Sequence, residues 1–280
     1  MTDKILRNCK IAVCLSGQSR TFKHCAASLK RFYSTIGDNN NEYYFFGHTW
    51  GTNDYKVRMQ DGSVKYATQT ENLFLPKLKK DLKETYNFSG LVVDQDLNIP
   101  VPKQCLGPHV WGHLFYSTMV SNFLKQKYEI ENNMMFDLVV KSRFDLCYRP
   151  NDFFENYFSG PIEQKVIYSH YGFMSLEGLL PNPDDVHYYG SSHTMDLIDG
   201  LYNNLHTGAL DKILSVNHDN LPKIGPGILM YKWMTIKNIL PRQLNGSNSH
   251  AVYRIKCAEL GLTPEENFDE IKKREYFVEW

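Results

Sequence analysis

Long apolar runs are missing from this 280-residue sequence. The longest, such as Ile11–Leu15 and Leu138–Val140, fall far short of the ~18–20 residues that a membrane-spanning helix needs, so no membrane span is expected. The N-terminal stretch Met1–Lys10 alternates charge with apolar side chains and holds no apolar centre, so a cleaved signal peptide is not expected either. Net charge is missing too: 31 Lys+Arg stand against 31 Asp+Glu. That balance argues against a partner held by electrostatics alone, and nucleic acid is not expected. None of the 6 cysteines forms a Cys-x-x-Cys pair. Several lie within apolar patterns, which reads as reduced core thiols of a cytoplasmic protein rather than a disulfide frame or zinc site. In that compartment the sequons Asn87-Phe-Ser and Asn245-Gly-Ser stay silent. No complete Gly-x-Gly-x-x-Gly or Gly-Lys-Ser loop is present, which weakens dinucleotide and P-loop readings. Repeats and low-complexity tracts are lacking as well.

What is there fits an ordinary globular chain. Hydrophobic residues at 42% and charged residues at 22% exclude disorder. The length allows one large domain or two small ones, and a single domain over 1–280 is expected, with halves of about 8–150 and 151–280. Lys10–Leu15 is rich in strand formers and ends at Ser16-Gly-Gln-Ser-Arg20. Phe22, Cys25, Leu29 and Phe32 then recur as one face of a helix. Strand, glycine-containing loop and helix open many nucleotide-binding α/β folds. A second strand is expected over Glu42–Phe46, leading into Gly47-His-Thr-Trp50, then a polar loop over 51–70 and a helix from Pro76 to Tyr86. Leu91–Val93 reads as a third strand. Over 113–131 an amphipathic helix is expected, with Phe115, Met119, Phe123 and Leu124 on its apolar face and Lys125 and Lys127 opposite. Phe136–Asp145 reads as a buried central strand with charge at its end, and Lys165–Tyr168 as another strand. A loop over 181–192 follows, then helices through Met195–Tyr202 and Leu229–Trp233, and a capped terminal helix after Thr263. The fold class is α/β with a more helical C-terminal half.

Four places could carry chemistry. Gly17 at a strand end lets backbone approach a ligand, and the following helix directs N–H groups at an anion; an ordinary strand–helix turn would look the same. Arg20 would reinforce a diphosphate contact. Arg143 and Asp145 stand two apart on a strand, on one side of it. Asp145 there either ligates a hard divalent cation or pairs with Arg143 to hold the strand end. Asp184 and Asp185, beside a Tyr/Ser-rich loop, offer a carboxylate that could take a hydroxyl proton, or simply a solvated loop. His48, His193 and His250 lie in or near polar loops, and none alone points to a ligand. Among the aromatic residues, Trp50, Trp111, Tyr188 and Tyr189 have faces that suit uracil or a sugar, although core packing accounts for most such rings.

Ile11-Ala-Val-Cys-Leu-Ser-Gly-Gln-Ser-Arg20 together with Tyr44-Phe-Phe-Gly-His-Thr-Trp50 resembles glycosyltransferase-like proteins that share an "SGQ-R" strand end and an "HTW" second strand. Phe136-Asp-Leu-Val-Val-Lys-Ser-Arg-Phe-Asp-Leu146 is similar to their segment ending in "R-F-D-L", and Asp185–Met195 to a later "D-x-F-x-x-G-S-x-x-x-M" segment. The matches run in order over about 10–205. Such proteins occur in bacterial capsule or lipopolysaccharide loci and in large DNA viruses of algae.

The resemblance implies a GT-A-like fold: a Rossmann-like mixed sheet flanked by helices, with a nucleotide-sugar-binding half, an acidic metal motif after a central strand, and an acceptor-binding half. It implies a nucleotide-sugar donor, a UDP-sugar with UDP-xylose among the candidates, and a glycan hydroxyl acceptor. Ser16, Gly17, Gln18, Arg20, His48, Trp50, Arg143 and Asp145 would face the donor, and Tyr189, Ser191 and Ser192 the acceptor. Asp185, or its neighbour Asp184, would be the base of an inverting transfer. Asp145 and His250 would hold Mn²⁺ or Mg²⁺. The sequence departs from the Asp-x-Asp pattern, because Arg143 stands at the first acid, so either one carboxylate holds the cation or Arg143 supplies part of its charge. A non-catalytic carbohydrate- or nucleotide-binding module on the same fold is the alternative.

Overall fold

The computed structural model describes residues 6–19, 21–33, 40–51, 55–58, 64–67, 75–95, 108–150, 161–169, 187–205, 226–243, 250–252, 257 and 260–274. Strand β1 (Lys10–Ser16) leads into helix α1 (Phe22–Tyr33), then β2 (Glu42–Trp50), β3 (Tyr55–Arg58), β4 (Val64–Ala67), α2 (Leu75–Tyr86), β5 (Gly90–Asp94) and α3 (Pro108–Glu131). There follow β6 (Leu138–Arg143), β7 (Leu146–Tyr148), β8 (Val166–Ser169), β9 (Tyr188–Gly190), α4 (Ser192–Asp199) and α5 (Leu201–Leu205). The described chain closes with α6 (Pro226–Ile236), β10 (Leu240–Gln243), β11 (His250–Val252) and α7 (Pro264–Arg274).

Seven strands form one sheet in the order β10-β8-β9-β6-β1-β2-β5. The segment β6-β1-β2-β5 is parallel, β9 runs antiparallel to both of its neighbours, and β10 lies parallel to β8. Strand β1 is continuously apolar because both its faces are covered, as parallel strands require. Ile11, Val13 and Leu15 join Phe22, Leu29 and Phe32 of α1 and Leu78 and Leu82 of α2 in one core. Ala12 and Cys14 face the other way, into a core with Met195, Ile198, Leu229 and Trp233. The result is a helix–sheet–helix sandwich. Among the described residues no helix is long and apolar enough to cross a membrane. Cys14, Cys25, Cys147 and Cys257 are buried free thiols, and Cys9 is half-buried.

Several expectations change. Strand β2 runs on through His48 to Trp50, because β1 supplies ladder partners as far as His48 and β5 as far as Trp50. Gly47 makes this possible: a Cβ there would sit 2.7 Å from the Phe88 ring. The region expected as loop over 51–70 contains the antiparallel pair β3–β4. Part of the loop expected over 181–192 is β9, whose three residues are too few to show a period.

Helix α3 is turned relative to the expected amphipathic faces. Lys125 is fully buried and Phe123 is 60% exposed. The buried face carries Ser117, Thr118, Ser121, Asn122 and Lys125. Polar side chains are tolerated there because each makes at least one hydrogen bond, although Asn122 Oδ1 has none among the described residues. Thr118 Oγ1 donates to the Leu114 carbonyl and Ser121 Oγ to that of Thr118. Lys125 Nζ reaches Glu129, Ser192 and Asp196 at 2.9, 2.6 and 2.7 Å. A hydropathy period cannot register burial that rests on paired charge. After residue 150 the described residues supply four strands and four helices, against seven strands and three helices before it.

Candidate functional site

In an open α/β sheet the ligand crevice lies outside the carboxyl ends of the strands, where successive connections leave in opposite directions. Here that point falls between β1 and β6. From β1 the chain passes to β2 and then β5 on one side, and α3 returns it to β6 on the other. The register sets Arg143, Ser16 and His48 in one row along this edge, with Ser16 opposite both of the others. Strand β5 ends beside them at Asp94, opposite Trp50. Five residues expected at a donor site, Ser16, Gly17, His48, Trp50 and Arg143, are thus gathered on one rim, and half-buried Gln18 follows Gly17.

Gly17 takes φ +102°, a left-handed conformation that glycine adopts without strain. Its N–H donates to Ser117 Oγ at 2.8 Å, so α3 fixes the loop from behind. Ser16 Oγ meets Thr118 Oγ1 at 3.3 Å. Ser19 is buried, and its hydroxyl has no hydrogen-bond partner among the described residues. Helix α1 starts three residues later, and its first N–H, that of Phe22, donates to the Ser19 carbonyl at 3.1 Å.

His48 stands at the centre of the rim. Its Nδ1 lies 2.7 Å from Ser117 Oγ and its Nε2 lies 3.3 Å from Asp94 Oδ2. Tyr116 donates its hydroxyl to the same Asp94 oxygen at 3.2 Å. Burial lowers the His48 pKa to about 4, against the opposing pull of Asp94, so the ring is neutral near pH 7. A neutral ring that faces a carboxylate carries its proton on Nε2, which leaves Nδ1 as an acceptor for the Ser117 hydroxyl, whose oxygen also lies 3.1 Å from the His48 carbonyl. Asp, His and Ser are the residue types of a nucleophilic triad. Ser117 is fully buried, however, and already accepts the Gly17 N–H, so its oxygen is a strut and not a nucleophile. Trp50 packs edge-on to His48 at 4.8 Å and to His113 at 5.0 Å, an aromatic wall beside Asp94. Burial and Asp94 together raise the Tyr116 pKa to about 12.

Arg143 and Asp145 form a bidentate pair, Nε to Oδ1 at 2.7 Å and Nη2 to Oδ2 at 2.5 Å. Asp145 is 1% exposed. Both carboxylate oxygens are engaged by the guanidinium, so the described donor set at Asp145 does not fit a divalent cation. Among the described residues, no three metal-ligating side chains come together.

The residues expected on the acceptor side lie elsewhere. Since β9 runs antiparallel to β6, its end at Gly190 pairs with Val139, near the amino end of β6. Ser191 and Ser192 therefore sit at the sheet edge opposite the Gly17 rim. Ser191 caps α4 and donates to Gln164 Oε1 at 2.8 Å. Ser192 is held between Lys125 and Glu129. Tyr189 is fully buried and stacks on Tyr168 with ring centres 5.7 Å apart. These three do structural work, and the correction follows from a strand direction that residue patterns do not reveal. Arg20, Asp184, Asp185 and the side chains of Trp111 and His250 lie outside the described residues; His250 opens β11, paired with Tyr148.

No protein-family model and no curated protein matches the chain. The site therefore rests on its own geometry. Sequence reasoning missed Asp94, Tyr116 and Ser117. Asp94 had a legible signal, an acid directly after the strand Leu91–Val93. Ser117 had none, because its role depends on which side of α3 meets the sheet.

Proposed function

We propose that the protein is a glycosyltransferase with a GT-A-type fold, which moves a sugar from a nucleotide-sugar donor, a UDP-sugar, to a hydroxyl of a glycan acceptor. The observation that carries the reading is the loop at Gly17. A left-handed glycine at the switch point of the sheet has its amide pinned from behind and is followed by a buried Ser19 hydroxyl, unpaired among the described residues, and the start of α1. That is a cradle for an anionic group such as a diphosphate. Cleavage of a sugar–diphosphate bond leaves negative charge on the departing phosphate, which helix N–H groups and the adjacent Arg143 would stabilise. Asp185, or Asp184, would take the acceptor proton. Neutral His48 and Trp50 would wall the donor pocket.

A thermal-shift panel of UDP, GDP, CMP and UDP-sugars, each with Mn²⁺, Mg²⁺ or EDTA, tests the donor. A ligand at 100 times its dissociation constant stabilises a fold by about 2.7 kcal/mol, a readable shift. Release of UDP on addition of glycan acceptors then tests transfer. A flat panel for all nucleotides would remove the proposal. The Arg143–Asp145 pair favours one second reading, a non-catalytic nucleotide- or carbohydrate-binding module, because it occupies the acid that a metal-dependent transferase would use. Saturable UDP-sugar binding without UDP release, across acceptors and metals, is its signature.

A further inference from the structure

Asp94 ends β5 at the rim with its two oxygens in unlike states. Oδ2 receives both His48 Nε2 and the Tyr116 hydroxyl. Oδ1 has no hydrogen bond among the described residues, and the side chain remains 28% exposed. Two donors on Oδ2 hold the carboxylate in place, which leaves Oδ1 as an acceptor on a partly exposed side chain. A fixed, partly exposed acceptor next to aromatic rings suits a ligand that brings an O–H or N–H together with a flat or apolar face.

The position is as specific as the chemistry. Strands β1, β2 and β5 are consecutive, so Asp94 stands about 10 Å from the Gly17 loop, two strand spacings along the rim. That is the span from a phosphate group to the polar edge of its nucleoside. The two points are also linked by hydrogen bonds. Asp94 keeps the His48 proton on Nε2, His48 Nδ1 accepts from Ser117, and Ser117 Oγ accepts the Gly17 amide.

We propose that Asp94 is the nucleoside-reading residue of this site: Oδ1 accepts a hydrogen bond from a ribose hydroxyl or base N–H, while Oδ2 ties that contact through His48 and Ser117 to the phosphate-facing loop at Gly17. This rests on the nucleotide reading of the rim. Asp94 contacts the ligand, and His48 and Ser117 act as positioning residues.

The experiment compares UDP with inorganic pyrophosphate, by calorimetry, on the wild type and three variants. In Asp94→Asn the amide oxygen can still accept from His48, while the open position becomes a donor. UDP affinity should fall 10-fold or more and pyrophosphate affinity should hold within 2-fold. Ser117→Ala, which releases the Gly17 amide, should weaken both ligands alike. Tyr116→Phe removes one of the two donors on Oδ2 and should cost UDP a few-fold with pyrophosphate unchanged, which gives an independent reading if Asp94→Asn melts early. Loss of discrimination between UDP and 2′-deoxy-UDP in Asp94→Asn assigns the contact to ribose, and retained discrimination assigns it to the base. Unchanged UDP affinity in Asp94→Asn, or an equal loss for both ligands, overturns the proposal while the nucleotide site stands. A wild type that binds neither ligand overturns the nucleotide reading itself, and this inference with it.

Discussion

His48 and Asp94 face each other at 3.3 Å across the boundary between core and solvent: the imidazole is fully buried, while the carboxylate is partly wet. The buried side of the pair wins, and burial holds the His48 pKa down at about 4.

The first prediction follows from that depression. The unfolded chain takes up the histidine proton near pH 6.5 and the folded chain only near 4. Between those values the unfolded state binds more protons, so stability falls as pH falls through the window. A depression of this size corresponds to about 3 kcal/mol at most. Urea unfolding at pH 7 and pH 4.5 measures it. In His48→Asn, whose side chain does not titrate, the acid loss should shrink by most of that amount; an unchanged loss would mean other groups carry it.

The second concerns Lys125. Replacing it with Met removes the cation from a site where Glu129, Ser192 and Asp196 converge on it. Breaking a buried pair on one side costs about 3–5 kcal/mol. The partly exposed Asp196 puts Lys125→Met toward the lower end of that range. Lys127, 59% exposed in its own ion pair, should change by under ~0.5 kcal/mol as Lys127→Ala. Denaturant midpoints distinguish the two.

Much of the frame was readable in advance, and these two lysines show where reading stops. The strands expected at Lys10–Leu15 and Phe136–Asp145 correspond to β1 and β6, whose apolar residues are covered on both faces, which writes burial directly into composition. The helix from Phe22 followed from its spacing of large apolar residues. Lys125 was assigned to solvent because charge usually lies there, and only its convergence with residues 67 and 71 positions away reverses that. Ser191 and Ser192 were assigned to the acceptor because they follow a motif, and the reversed direction of β9 carries them to the far edge. Asp145 was read two ways, and the bidentate contact to Arg143 is the one described.

The third prediction separates two glycines. At Gly17 an added Cβ meets nothing within 4 Å, so Gly17→Ala costs only the left-handed backbone, about 1–2 kcal/mol. Gly47→Ala instead drives a methyl into the Phe88 ring, an overpacking cost of about 1–3 kcal/mol. Adding Phe88→Leu should recover part of the Gly47→Ala loss and none of the Gly17→Ala loss, as a double-mutant cycle in thermal stability would record.

A fourth addresses the cation. With both Asp145 oxygens on Arg143, nucleotide-induced stabilisation should persist in EDTA to within about 1 °C of its value in Mg²⁺. A shift that disappears in EDTA would mean that Arg143 gives way to metal on binding.

Strand β9 is three residues long, yet it alone connects the β8–β10 pair to the parallel β6-β1-β2-β5 block within the sheet. The backbone ladder therefore narrows to a three-residue seam, while the cores on both faces of the sheet run across it. Amide hydrogen exchange should reveal this as two tiers of protection. Val13 and Val140 would open only with the whole molecule, whereas the amides of β8 and β10 would open together at lower free energy once the seam at Tyr188–Gly190 parts. The rim around Gly17 and His48 lies wholly within the first tier.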